Sequence, residues 1–416
     1  MQRSLLLTSG IALSLVLSAC GSSTGANPGP GQPDPGDPGG PGTSECRVTV
    51  TDDITIPTAF VNGPEECDYF FPGTDRQYRV TAPVTVEPGT VLRFGRDVIL
   101  MVTDSGSLRA VGEPDNRIRF EGQLNTTGFW YGICFADNRE SRLENVDVVW
   151  AGKVYIPSSS SCRGAVSGAI SDSEPVHIVN TVVFGSHTNG LNAHDLILGD
   201  FRNNAFGGND DYGVIIDAEQ VAKLDRGSDY LGDTLGQANG RPFIHAAGTI
   251  NTPGEVFEWH TLNAPYVIED YSLGYSSGLF IEDTAILVLH EGVDIRFGPD
   301  ALMSVWDGAG LAAIGTDSAP VVLRGTQDTP GAWPGIWVNT AMLELRNVRI
   351  MNAGQAGNIR SAALGIDGVY DVLPKWINGL HIEGSTACGL DIRDPSLFEE
   401  FENVTYANNA VDYCGN

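Results

Sequence analysis

The amino-acid sequence predicts an all-β solenoid, on three observations: strand-length apolar runs, a tandem duplication, and cysteines spaced about one coil apart. The apolar runs Thr90–Phe94, Val98–Val102, Ser107–Ala110, Arg117–Phe120 and Gly132–Phe135 are short, and Gly, Asp, Asn and Pro separate them. Brief apolar segments bounded by turn residues read as strands, not helices. The best helical candidate, Ala218 to Leu224, is also brief.

The duplication is the strongest signal. Residues 84–112 reappear as residues 287–315 at a constant offset of 203, so Gly89, Arg93, Phe94, Gly95, Asp97 and Asp104 recur as Gly292, Arg296, Phe297, Gly298, Asp300 and Asp307. The register runs on through Gly122, Trp130 and Gly132, matched by Gly325, Trp333 and Gly335. It then slips by one, and LENVDVVWAG (143–152) matches LRNVRIMNAG (345–354). Two tandem copies of about 200 residues follow from this, and internal repetition is the signature of stacked architectures.

A solenoid is favoured over a sandwich or propeller by its corners. Asn145, Asn180, Asn203, Asn347, Asn378 and Asn403 recur at strand edges, and Asn tolerates the left-handed conformation of tight turns. Apart from Cys20 there are six cysteines, which allow fifteen pairings. Spacing favours the neighbours Cys46–Cys67, Cys134–Cys162 and Cys388–Cys414, separated by 21, 28 and 26 residues. Each bridge would staple adjacent coils and contribute about 3–4 kcal/mol in the chain-entropy account. No CxxC or CxH cluster supports a cysteine zinc site.

At these residues the chain resembles a known family. The pattern EPGTVLRF, then GSLRAVG, IRF, WYGI, LENV and AG over residues 78–152, repeated more loosely over 281–354, looks like that of bacterial surface proteins with a right-handed parallel β-helix (pectate-lyase-like) fold. In the second copy His290-Glu291 replaces Glu87-Pro88. The resemblance implies architecture more than activity, because this fold carries lyases, hydrolases and adhesins. Pectate lyases of the fold use calcium-bound Asp residues and an Arg base, but no such set maps onto this sequence residue by residue.

The amino terminus reads as an export and anchoring signal. Arg3 precedes an apolar run from Leu5 to Leu17, too short for a membrane span, which needs about 20 residues. Leu17-Ser18-Ala19-Cys20 resembles the lipobox of bacterial lipoproteins, which implies lipidation at Cys20. Gly21 then points to the outer membrane of a Gram-negative cell envelope. Residues 21–44 are nearly all Gly, Pro, Ser, Thr and Asp, a composition that stays disordered, and reach about 75 Å as polyproline at roughly 3.1 Å per residue. The expected organisation is therefore 1–19 signal peptide, 20–44 lipidated Cys and tether, 45–80 N-terminal cap, 81–280 first copy and 281–416 second copy.

Charge limits the partners. The chain carries 24 basic and 52 acidic residues, a net charge of −28, which disfavours nucleic acid and anionic membrane surfaces. The membrane is expected to be reached through the Cys20 lipid alone.

Candidates for chemistry are sparse. Trp130 with Trp333, and Arg93 with Arg296, occupy duplicated places, which marks them as parts of the repeat. Asp225, Asp229 and Asp233 could gather oxygen ligands for Ca²⁺, although no EF-hand or β-roll motif surrounds them. No other cofactor is implied. His187 and His194 stand near Asn189, Asn192 and Asp195, and His260, after Glu255 and Glu258, could act in acid–base chemistry. The expected function is a non-catalytic cell-surface module that binds glycans or envelope partners. The rival is a tethered lyase or hydrolase acting on acidic polysaccharide, from which an acidic protein would be repelled.

Overall fold

The structure is a computed structural model. It describes residues 46–153, 162–169, 173–270, 278–339, 341–357, 361–367, 374–393, 396 and 398–415. Cys20, the apolar segment before it and the tether lie outside the described residues.

Half of the described residues are strand and 3% are helix, and the strands form long parallel sheets. Every pairing between named strands is parallel, and each strand pairs with one a circuit later: Val48 lies beside Tyr69, 21 residues on, and Val148 beside Val183, 35 residues on. One ladder runs through Tyr69–Phe71, Val91–Phe94, Ile118–Gly122, Val146–Val149 and Val182–Phe184. A second runs through Thr58–Phe60, Pro83–Val86, Ser107–Val111, Ser141–Glu144 and Val176–Val179, and a third through Arg76–Val80, Val98–Val102, Gly132–Ala136 and Val166–Ala169. Residues 46–80, expected as a cap, supply the first strands of all three sheets. The helical candidate is a 3₁₀ helix, Ala218–Lys223.

Alternation of side chains across each strand sends one set inward. Val84 and Val86 are buried while Pro83 and Thr85 are exposed. Because circuits stack in register, inward residues meet their equivalents, and one apolar core runs from Ile54 to Ile392. The duplicated aromatics belong to it. Phe94 stacks on Trp130 with centroids 4.1 Å apart, and Phe297 stacks on Trp333 at the same 4.1 Å. Each indole N–H donates to a carbonyl, of Val149 or Met351. The glycine two residues on is equally constrained. A Cβ on Gly132 or Gly335 would lie 2.4 Å from the carbonyl oxygen of Ala165 or Ala362 in the next circuit.

Corners are made as Asn chemistry suggests. Asn145, Asn180, Asn203, Asn347 and Asn403 take positive φ, and the Asn180 side-chain amide donates to Asn145 Oδ1 at 3.0 Å. Asn378 differs: the residue after it, Gly379, takes the left-handed turn, while the Asn378 side-chain oxygen accepts from the Asn403 amide. The three disulfides join Cys46 to Cys67, Cys134 to Cys162 and Cys388 to Cys414.

Strand boundaries recur between the copies, but equivalent strands change sheet. Val98–Val102 and its equivalent, Leu302–Val305, sit at the same point of the repeat. Yet the ladder that includes Val98–Val102 passes through Tyr212–Asp217 to Ile244, then to Tyr266 and Ile295, and so enters Asp294–Phe297, the equivalent of Val91–Phe94. The long strand Arg241–Ile250 makes the exchange: its first part continues that ladder, while Gly248–Ile250 starts another with Gly278–Ile281.

Two outcomes follow for stability. Trp130→Ala and Trp333→Ala each remove a fully buried indole from the column, and each is expected to cost about 3–5 kcal/mol in denaturant unfolding. Equal costs would reflect equal packing, and a loss below about 1 kcal/mol at either site would contradict it.

The buried His245 imidazole is paired with the Glu269 carbonyl, and burial pushes its pKa down to about 4. A histidine that protonates more readily when unfolded contributes stability that is complete above about pH 6.5 and falls as pH drops towards 4. The contribution is on the order of 3 kcal/mol. His245→Gln should flatten unfolding free energy over that window, and an unchanged pH slope would refute the assignment.

Candidate binding cleft and histidine cluster

The changeover between sheets has a local consequence. The ladder carrying Val176–Val179 ends with Leu198–Arg202, and the 3₁₀ helix Ala218–Lys223 follows in place of a further strand. Its Gln220 side chain substitutes for ladder bonds. It accepts from the Leu198 amide at 2.8 Å and donates to the Leu196 carbonyl at 2.7 Å. Interrupting the ladder opens a lateral cleft of about 850 Å³, lined by His177, Asp200, Asp217, Glu219, Lys223 and Phe257 among others.

The carboxylates of this cleft are all engaged. Asp200 accepts from Arg142 at 3.1 Å, and Glu219 accepts from the Asn251 and Thr252 amides at 2.8 Å each. Asp217 pairs with His194, and burial pushes the Asp217 carboxyl above its ordinary range against the pull of that imidazole. His177 lies 3.2 Å from Glu140. Ion pairs thus fix the cleft's floor and rim, while half-buried Phe257 offers it a ring.

The residues singled out in the sequence fall in several places. Asp225 accepts from the amides of Asn203 and Gly227 and from the Ser228 hydroxyl. Asp229 accepts from the amides of Leu231, Gly232 and Thr234, from the Thr234 hydroxyl and from the Asn263 side chain. Asp233 is exposed at the start of a second short 3₁₀ helix, Asp233–Leu235. The carboxylates of Asp225 and Asp229 are therefore occupied by N–H and O–H donors, which is turn chemistry. Arg93 donates to Glu121. At the equivalent place Arg296 instead lies over the Phe243 ring, and Arg324 pairs with Asp294. His187 contacts Asp210 at 2.8 Å.

His260 is the candidate that the fold places in company. Its strand, Val256–Trp259, pairs with Ile286–Leu289, so His260 lies beside His290, with ring centroids 4.2 Å apart. Both Nε2 atoms lie 3.6 Å from Glu258 Oε2. Burial, His290 and Arg226 together push the His260 pKa down. Glu258, His260 and His290 are, among the described residues, the grouping of His, Cys, Asp and Glu side chains with metal-compatible spacing. Sequence reading found His260 and Glu258 but not their partner, thirty residues away.

No family model, curated protein or solved structure matches this chain. No helix among the described residues is long and apolar enough to cross a membrane.

The Asp229 pocket gives a measurable outcome. Burial opposes its ionisation, but the bonds from Thr234, Asn263 and Gly232 prevail and hold its carboxyl below the ordinary range. A carboxylate of this kind adds stability above about pH 4 that is lost as pH falls through its lowered value. Asp229→Asn should cost about 2 kcal/mol at pH 7, and the deficit should shrink by pH 3. A deficit that does not vary with pH would exclude the ionised carboxylate as its source.

Proposed function

We propose that this protein is a non-catalytic, lipid-anchored surface protein that displays a right-handed parallel β-helix, built of two tandem copies, for binding glycans or envelope partners. The Cys20 lipid and the Gly/Pro-rich tether would hold it on the outer membrane of a Gram-negative cell. The observation that carries this reading is the open cleft. A ring, Phe257, stands beside the Lys223 ammonium and the carboxylates of Asp200, Asp217 and Glu219, and ligand sites combine an apolar surface with a few placed polar groups in this manner. Asp200, Asp217 and Glu219 outnumber the single Lys223, so neutral or amine-bearing sugars suit it better than polyuronates.

One observation favours the rival polysaccharide lyase or hydrolase: a cleft carboxyl, Asp217, with a raised pKa is the kind of group that serves as a general acid. Its engagement by His194, and that of the other two carboxylates by their own partners, supports binding instead.

A glycan and polysaccharide array probed with residues 45–416, with and without calcium, separates the two. Retained neutral or amino-sugar ligands with no product formed are expected, weakened about tenfold by Phe257→Ala, since an aromatic contact contributes about 0.5–1.5 kcal/mol. Release of unsaturated uronide absorbing in the ultraviolet, abolished by Asp217→Asn, would overturn the binding reading.

A further inference from the structure

We propose that Glu258, His260 and His290 form a binding site for a divalent transition-metal ion, zinc foremost. The inference is independent of the glycan reading and rests on three observations.

The first is geometry. The three ligand atoms lie within 4.8 Å of one another, and both imidazole Nε2 atoms stand 3.6 Å from Glu258 Oε2. A tetrahedral zinc with bonds of about 2.0–2.2 Å needs its ligand atoms roughly 3.3–3.6 Å apart. The backbone preorganises this set. Trp259 and Leu289 are ladder partners, and the His290 amide donates to the Trp259 carbonyl at 3.0 Å, so the two histidines extend from adjacent circuits at one fixed spacing. Glu258 precedes His260 by two residues, which in an extended chain turns both to the same side. Two imidazoles with one carboxylate suit zinc and its neighbours, whereas calcium and magnesium favour oxygen alone. The Glu258 side chain is 54% exposed, which leaves the remaining coordination positions open to water.

The second is an orphaned atom. His290 Nε2 is itself buried and makes no hydrogen bond, with Glu258 beyond hydrogen-bond reach at 3.6 Å. Leaving a buried polar atom without a partner is unfavourable, and a metal ion between the nitrogen and the carboxylate would relieve it.

The third is the internal comparison that the duplication provides. In the first copy the Glu87 amide donates to the Phe60 carbonyl, the same contact that His290 makes with Trp259. By that register Ala59, Val61 and Glu87 occupy the places of Glu258, His260 and His290. The repeat closes there with a single carboxylate and no imidazole, so packing does not require the Glu-His-His set. Arg226 opposes the site: its guanidinium lies 3.4 Å from His260 Nδ1 and repels a cation.

The test is calorimetric titration of the full chain, without a polyhistidine tag, with Zn²⁺ in millimolar Ca²⁺ to occupy the acidic surface. One ion per chain is expected. His260→Val installs the first copy's residue and His290→Ala removes an imidazole without supplying another ligand, and each should weaken binding at least tenfold, the lower end of the roughly 10–100-fold that even an outer-shell change can cost. Co²⁺ substituted for zinc should give visible absorption bands that both variants lose. Arg226→Gln should tighten binding, and weakened binding would count against the site. Should His290→Ala fail to fold by circular dichroism, Glu258→Ala, an exposed position, carries the same comparison. Absence of zinc binding tighter than millimolar, or affinity unchanged in these variants, overturns the proposal.

Discussion

Everything in this fold depends on the parallel ladder, which requires each circuit to return the backbone to hydrogen-bonding distance of the one before. Main-chain N–H and C=O groups have no other partners in a buried strand, and leaving one unpaired costs about as much as a lost hydrogen bond. The circuit may vary in length, from 21 residues between Val48 and Tyr69 to 35 between Val148 and Val183, because extra residues leave as loops at the corners. The strand register is held far more tightly, and among the described strands it shifts only between Val176 and Ile178, Tyr212 and Val214, and Lys375 and Trp376. A slip of one residue would turn Val84 and Val86 outward and Thr85 inward. That intolerance places Gly132 and Gly335 where a neighbouring circuit comes too close for a Cβ. It also places left-handed Asn at the corners, where an Asn side chain can bond the Asn of the next circuit.

Where the ladder is broken, surface opens. The 3₁₀ helix Ala218–Lys223 replaces a strand, and Gln220 supplies from its side chain the bonds that a backbone would have made. The same region exchanges sheets between the copies through Arg241–Ile250. Equivalent residues of the two copies therefore lie in different sheets. The duplication multiplies the scaffold, while the cleft beside the 3₁₀ helix lies at the changeover.

Duplication also sorts the residues by what they are for. Trp130 and Trp333 keep the same stacking distance and the same carbonyl partner type, so the repeat dictates them. Arg93 and Arg296 keep identity but not partners: Glu121 becomes Arg324, and the charge of the pair is rebuilt around Asp294. Sequence identity alone would have treated them alike. Further echoes emerge only in three dimensions. Asn209 and Asn409 both accept from the amide of a corner serine, Ser186 or Ser385.

The sequence by itself determined the strands, the two copies, the corner asparagines and the neighbour pairing of the cysteines. Each is written in residues close together or at a fixed offset, and each follows from local backbone preference or from repetition. At one corner the left-handed position belongs not to Asn378 but to the following Gly379. The tertiary structure decided which strands share a sheet, where the ladder breaks, and that His290 stands against His260. Those depend on circuit length, and circuit length depends on how many residues each corner loops out. A sequence shows the loop residues but not the register to which they return, so a histidine pair thirty positions apart becomes visible only once the ladder is closed.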